Sequence, residues 1–142
     1  MAIATDIMIL KKNKSNNDIL FIDASNEFIK NPDKMKNGKN SNKLSDENIA
    51  KLAEIVDGTK PQRMVVVSHF NPDGDAIGST LAWRRLLESM GHEVECVVPN
   101  KFPSFLAWID DVAKIRIFKE EPELCSQIIA DADVLFFLDL NN

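Results

Sequence analysis

The stretch "RMVVVSHFNPDGDAIGS", residues 63 to 79, constrains the fold of this chain more than any other. An unbroken Val run is the mark of a strand buried on both faces, which occurs where helices cover both sides of a parallel sheet. At the end of that strand come His69, Asp73, Gly74, Asp75 and Gly78, followed by a helical pattern through "AIGSTLAWRRLLESMG". Polar groups packed so densely at a strand end need a partner, because burying them unpaired is costly.

The segments that follow repeat the alternation. "EVECVV" reads as a second strand, "FPSFLAWI" as a short helical turn and "KIRIF" as a third strand. "PELCSQIIADA" is a helix opened by Pro, and "VLFFLDL" is a fourth strand. Strands alternating with helices imply crossovers and a Rossmann-like α/β fold, a parallel sheet with helices on both faces. In the common order 3-2-1-4 the first and fourth strands are neighbours at the reversal point, where ligands bind beyond the carboxyl ends. That order brings Asp73 and Asp75, after the first strand, to the same crevice as Asp139, at the end of the fourth. Along the intervening helix Ile77, Leu81, Leu86 and Met90 are expected to face the core, with Gly91 as the stop. His92, just beyond, is expected at the surface, and Trp83 and Trp108 in the core.

Three carboxylates in one crevice repel unless a counter-charge is present. "HFNPDGDAIGS" contains no Lys or Arg. A divalent cation is the natural partner, and carboxylate oxygens with one imidazole, from His69, suit Mn²⁺ or Mg²⁺. Gly74 and Gly78 are expected to let the backbone turn tightly. A helix beginning near Ala76 would aim its N–H groups at a phosphate, and metal beside a helix terminus points to phosphoester chemistry. Duller readings compete. A lone Asp-x-Asp is usually a solvated turn, and Asp139 could merely end a strand. An EF-hand started at Asn71 would need an acid where Ala82 stands. No dinucleotide or P-loop motif is present.

The first half differs in kind. Up to Thr59 every basic residue is Lys, and Asn and Lys crowd into "KKNKSNND" and "KNPDKMKNGKNSNKL". "AIATDIMIL" and "DILFIDA" read as two short strands joined by a polar turn. "LSDENIAKLAEIVDG" reads as a helix with Ser45 as N-cap, a staple from Leu44 to Ile49, and an apolar face of Ile49, Leu52, Ala53 and Val56 closed by Gly58. This small strand-strand-helix segment makes a poor independent core. The boundaries expected from the sequence are 1–58 for this segment, 59–63 for a linker and 64–142 for the α/β domain.

The 142 residues carry a net charge of −5, which disfavours a broad nucleic-acid-binding face. No apolar run approaches a membrane span and no secretory signal pattern opens the chain. Cys96 and Cys125 lack metal-type spacing and read as buried free thiols of a cytoplasmic protein.

Two resemblances sharpen these readings. Residues 1 to about 56, through "IATDIMILKKNK", "ILFIDASNEFIK" and "NKLSDENIAKLAEIV", resemble the late part of type I restriction-modification DNA methyltransferase subunits. The Gly-rich cofactor loop and the Asn-Pro-Pro-aromatic motif of that family are absent, so the resemblance implies ancestry rather than methyl transfer. From about residue 60 to 142, "SHFNPDGDAIGS", "GHEVECVVPNKFPSFLAWI" and "VLFFLDLN" resemble the DHH family of phosphoesterases, in its nano-RNA hydrolase and adenosine bisphosphate phosphatase branch. The resemblance implies a two-metal cluster, usually manganese, with His69, Asp73, Asp75 and Asp139 as ligands. It also implies Gly78, Ser79 and Asn141 at the phosphate, and short oligonucleotides or adenosine 3',5'-bisphosphate as substrate. The family's Asp-His-His motif is missing, since His69 and His92 are the sole histidines. The expectation is therefore an incomplete phosphoesterase, weakly active or inactive. The alternatives are a non-enzymatic truncated fragment, or an accessory piece of a type I methyltransferase that associates with other chains.

Overall fold

The computed structural model describes residues 7–11, 20–22 and 46–138. In chain order the elements are β1 (Ile7–Lys11), β2 (Leu20–Ile22), α1 (Asp46–Ile55), β3 (Arg63–Val67), α2 (Gly74–Ser89) and β4 (Glu93–Val98), then β5 (Ile115–Ile117), α3 (Pro122–Asp131) and β6 (Val134–Phe137). Two single 3₁₀ turns, Ser104–Leu106 and Val112–Lys114, lie between β4 and β5. Leu44, Ser45, Asp139, Asn141 and the polar turn expected between the first strands lie outside the described residues.

The strands form one sheet in the order β2-β1-β6-β3-β4-β5. β6, β3, β4 and β5 run parallel, and β1 adds antiparallel to β6, pairing Ile9 with Phe136. β3 and β6 are neighbours, as the reversal-point order requires, with Val67 opposite Phe137. Asp133 N–H donates to the Arg63 carbonyl at one end of this pair, and Leu138 N–H to the Val67 carbonyl at the other, both at 2.8 Å. The two strands therefore finish level, at the same edge.

The Val run is buried because side chains of alternate residues enter two different layers. Met64 and Val66 join Ile77, Leu81, Leu87, Val94, Cys96, Val98, Val134 and Phe136 in the larger core, which includes Leu52 and Val56 of α1. Val65 joins Val97, Cys125 and Ala132 on the opposite face, with Val67, Ile128 and Leu135 against them. Helices thus cover both faces, and α3 packs on β3 and β5.

Several side chains fall elsewhere than the sequence suggests. Leu86 is exposed and Leu87 is fully buried. Nine positions after Ile77 is about two and a half turns, which sends Leu86 to the opposite side of the helix. On α1, Ile49 and Ala53 are exposed, while Leu52 and Val56 are buried and Ile55 packs beside them. That helix meets the core through its last turn. Burying Leu52 and Val56 there stabilises by about 1.5–3 kcal/mol each, which matters because a ten-residue helix alone is marginal. Trp83 packs edge-on against Phe136 at 5.5 Å. Trp108, by contrast, is 78% exposed. In a 3₁₀ turn residues i and i+3 eclipse, so Leu106 and Ile109 point inward and Phe105 and Trp108 outward.

His92 is buried, not at the surface. α2 ends in a Schellman motif: Gly91 (φ 93) donates to the Glu88 carbonyl at 3.0 Å, and His92 to the Leu87 carbonyl at 3.2 Å. This turn brings the imidazole inward to the Val56 carbonyl and the Gln62 N–H. Gly58 is required for a different reason, because a Cβ there would overlap the Met90 carbonyl oxygen.

Candidate functional site

The site lies beyond Val67, at the carboxyl edge of the sheet. The turn that redirects the chain is made at Asn71, which adopts a left-handed φ of 56°. The glycines expected to provide it, Gly74 and Gly78, are helical and have no positive φ. Asn tolerates this conformation better than most residues. Asn100, after β4, fixes it from across the edge: Asn71 N–H donates to Oδ1 of Asn100, and Nδ2 of Asn100 donates to Oδ1 of Asn71, each at 2.8 Å. Sequence reading missed this clasp, for which the Asn-Pro dipeptide was the available signal.

α2 begins earlier than expected, at Gly74 with Asp73 as its N-cap. Oδ1 of Asp73 accepts from the backbone N–H of Asp75 at 3.1 Å and of Ala76 at 3.0 Å. These N–H groups are therefore not aimed outward at a phosphate; the cap carboxylate already holds them. One oxygen of Asp73 is occupied and the carboxyl plane is fixed. Asp75 lies exposed in the first turn, where its negative charge complements the helix dipole.

His69 is buried. Its Nδ1 lies 2.8 Å from the Phe70 carbonyl oxygen. A carbonyl can only accept, so Nδ1 carries the hydrogen, and in the neutral ring Nε2 carries the lone pair. An imidazole oriented this way is the form a metal takes. Ser79 is exposed and donates its hydroxyl to the Ala76 carbonyl at 3.1 Å. Gly78 is bordered by open space: a Cβ there would meet nothing within 4 Å.

His69, Asp73, Asp75, Gly78 and Ser79 thus share one loop and the start of one helix. Among the described residues no three His, Cys, Asp or Glu side chains gather into a metal-binding group. Asp139 and Asn141 lie outside the described residues. Leu138, the last described residue, stands at the same edge as the loop.

The 3₁₀ segment after β4 borders the site, with Leu106 under Gly74. Arg85 holds the segment's far end, donating to Asp111 Oδ2 at 3.1 Å. Lys114 first, and then Arg85, hold the Asp111 carboxyl below the usual carboxylate range by hydrogen bonding.

The model of the DHH family, N-terminal domain, matches residues 63–142. This chain belongs to the DHH family. The match takes in the whole parallel sheet and the loop just described. Among solved structures, an exopolyphosphatase-related protein from Bacteroides fragilis is similar at 34% identity with a TM-score of 0.59, over 63% of this chain and 26% of that one. The model described as N-6 DNA Methylase matches residues 1–70. A type I restriction enzyme methylase subunit of Mycoplasma pneumoniae is 40% identical over 62 residues, 43% of this chain and 10% of that protein. A counterpart in Methanocaldococcus jannaschii is 55% identical over 51 residues, 34% of this chain and 8% of that protein. The chain spans about a tenth of the length of these curated relatives and about a quarter of the solved one. The two family matches overlap at residues 63–70. α1, within the methylase match, packs into the core of the DHH sheet.

Proposed function

We propose that this DHH-family chain carries the first metal-binding half of a phosphoesterase acting on short oligonucleotides or adenosine bisphosphate. The observation that supports it best is the preparation of two ligands in one loop. The Phe70 carbonyl sets the tautomer of His69. Two backbone N–H groups hold one oxygen of Asp73 and leave the other for an ion. Such fixed orientation is what metal sites require of their ligands. With Asp75 and Asp139 the set is three carboxylates and one imidazole, suited to Mn²⁺ or Mg²⁺.

Bound divalent ions would supply charge neutralisation and an acidified water to phosphoester hydrolysis. The chain's own part is to hold the ligands, to leave open surface at Gly78 where a phosphate oxygen can approach, and to offer the hydroxyl of Ser79 once it turns from the Ala76 carbonyl. Asn141 completes the proposed phosphate contacts. His69 and the three carboxylates supply one side of a two-ion site, and their affinity for a divalent cation is what titration with Mn²⁺ reads. No helix among the described residues is long and apolar enough to cross a membrane. The two buried free thiols suit a reducing, cytoplasmic compartment.

Calorimetric titration with Mn²⁺ tests the reading. Saturable binding that Asp75→Asn weakens supports it, and binding indifferent to that change overturns it. A second reading, an accessory piece of a type I DNA modification methyltransferase, is favoured by the similarity of residues 1–70 to the methylase model. Co-purification with methylase or specificity subunits tests that one.

A further inference from the structure

Phe70 stands between His69 and Asn71, and 54% of it is exposed. It is held on both sides. Its own carbonyl accepts from His69 Nδ1 at 2.8 Å. The next residue is locked by the two bonds to Asn100, which also donates to the Lys101 carbonyl at 3.1 Å. From the end of β5, Lys119 brings its Nζ to 4.7 Å from the Phe70 ring centroid. The backbone N–H of Lys119 donates to the Pro99 carbonyl at 3.2 Å. The neighbouring Glu120 is paired with Lys101 at 2.7 Å, so it does not cancel the Lys119 charge. Loops from three adjacent strands thus hold an aromatic face and a cation one residue from His69.

These bonds fix the backbone on either side of Phe70 and so fix where its exposed ring leaves the chain, with Lys119 over one face of the ring. A flat π-surface beside a positive charge matches a nucleotide, whose base stacks and whose phosphate is anionic. We infer that Phe70 and Lys119 form a nucleobase subsite: the base stacks on the open surface of the Phe70 ring, and Lys119 takes the charge of a phosphate outside the metal site. This rests on the phosphoesterase reading and deepens it, because it assigns a place to the base of the proposed nucleotide substrate.

The test is titration of the whole chain, in Mg²⁺, with adenosine bisphosphate and with pyrophosphate. Phe70→Leu keeps apolar bulk and removes the π-face; Phe70→Tyr keeps the π-face. Phe70→Leu should weaken adenosine bisphosphate at least about fivefold, Phe70→Tyr should restore it, and pyrophosphate should bind all three proteins alike. Unchanged adenosine bisphosphate binding in Phe70→Leu would overturn the inference. So would equal weakening of both ligands, or absence of adenosine bisphosphate binding in the unmodified chain. Failure of the underlying reading shows separately, as Mg²⁺ and pyrophosphate binding that Asp75→Asn leaves unchanged.

Discussion

His92 donates its Nε2–H to the carbonyl oxygen of Val56 across 3.0 Å and so fastens the end of α1 to the start of β4. The direction follows from the other ring nitrogen, because Nδ1 accepts the backbone N–H of Gln62 at 3.3 Å. His92→Ala leaves the buried Val56 carbonyl and the half-buried Gln62 N–H without the imidazole, which costs on the order of 1–3 kcal/mol. The urea midpoint should fall accordingly while Mn²⁺ affinity stays as it is. An unchanged midpoint would mean that water replaces the imidazole without loss.

Asp73 is given two roles that one pair of substitutions separates. As an N-cap it stabilises α2, and removing such a cap costs about 0.5–2 kcal/mol. As a proposed ligand it needs a charged second oxygen. Asp73→Asn keeps a cap acceptor and loses the charge, so it should preserve thermal stability and weaken Mn²⁺ binding. Asp73→Ala should lose both. Equal loss of stability in the two variants would assign the charge, not the cap bond, to the helix.

Much of the architecture was legible because it depends on pattern. The Val run, the Pro at the start of α3 and the alternation of strands and helices, with the common 3-2-1-4 order, give the four parallel strands, whereas the antiparallel addition of β1 and β2 to the same sheet has no such pattern. The candidate residues of the loop can be named from the sequence, but their posture cannot. An Asp before a helix reads equally as ligand or cap, and the bonds to Asp73 from the N–H groups of Asp75 and Ala76 show the cap. His92 follows a helix-stopping glycine, and nothing local reveals that the Schellman turn folds it inward. Trp108 is misplaced because a short apolar cluster does not state which members a single turn can bury, whereas Leu86 is misplaced by phase, since nine residues after Ile77 is half a turn off the buried face. The clasp between Asn71 and Asn100 joins residues 29 apart and has no local periodic signal.

Two glycines should respond oppositely to Ala. At Gly58 an added Cβ meets the Met90 carbonyl oxygen, a backbone atom that cannot swing aside. Gly58→Ala should therefore lower the melting temperature. At Gly78 the space is open within a helix, and Ala in a helix interior is favoured over Gly by about 0.5–1 kcal/mol. Gly78→Ala should raise the melting temperature, and any fall in pyrophosphate affinity would locate the phosphate against that surface.

Cys96 gives the fold an alkaline signature. Burial first, countered in part by Arg84 and added to by Glu95 and Glu88, pushes its thiol from 9.0 up to about 12. The thiol sits in the core with its Sγ 4.0 Å from the Thr80 carbonyl oxygen. In the unfolded chain the proton leaves near pH 9; in the folded chain it stays until about pH 12. Between those values the folded state binds more protons, so stability falls as pH rises. Below pH 9 both states are protonated and Cys96 adds no slope. Cys125 is buried too, with its thiol raised chiefly by burial, and contributes in the same sense. Denaturant midpoints measured from pH 8 to pH 11 should decline, and Cys96→Ala should flatten that decline relative to the unmodified chain. Thiol reagents at pH 8 should label Cys96 only as fast as the chain unfolds; rapid labelling of the native protein would show that the larger core opens far more readily than its packing implies.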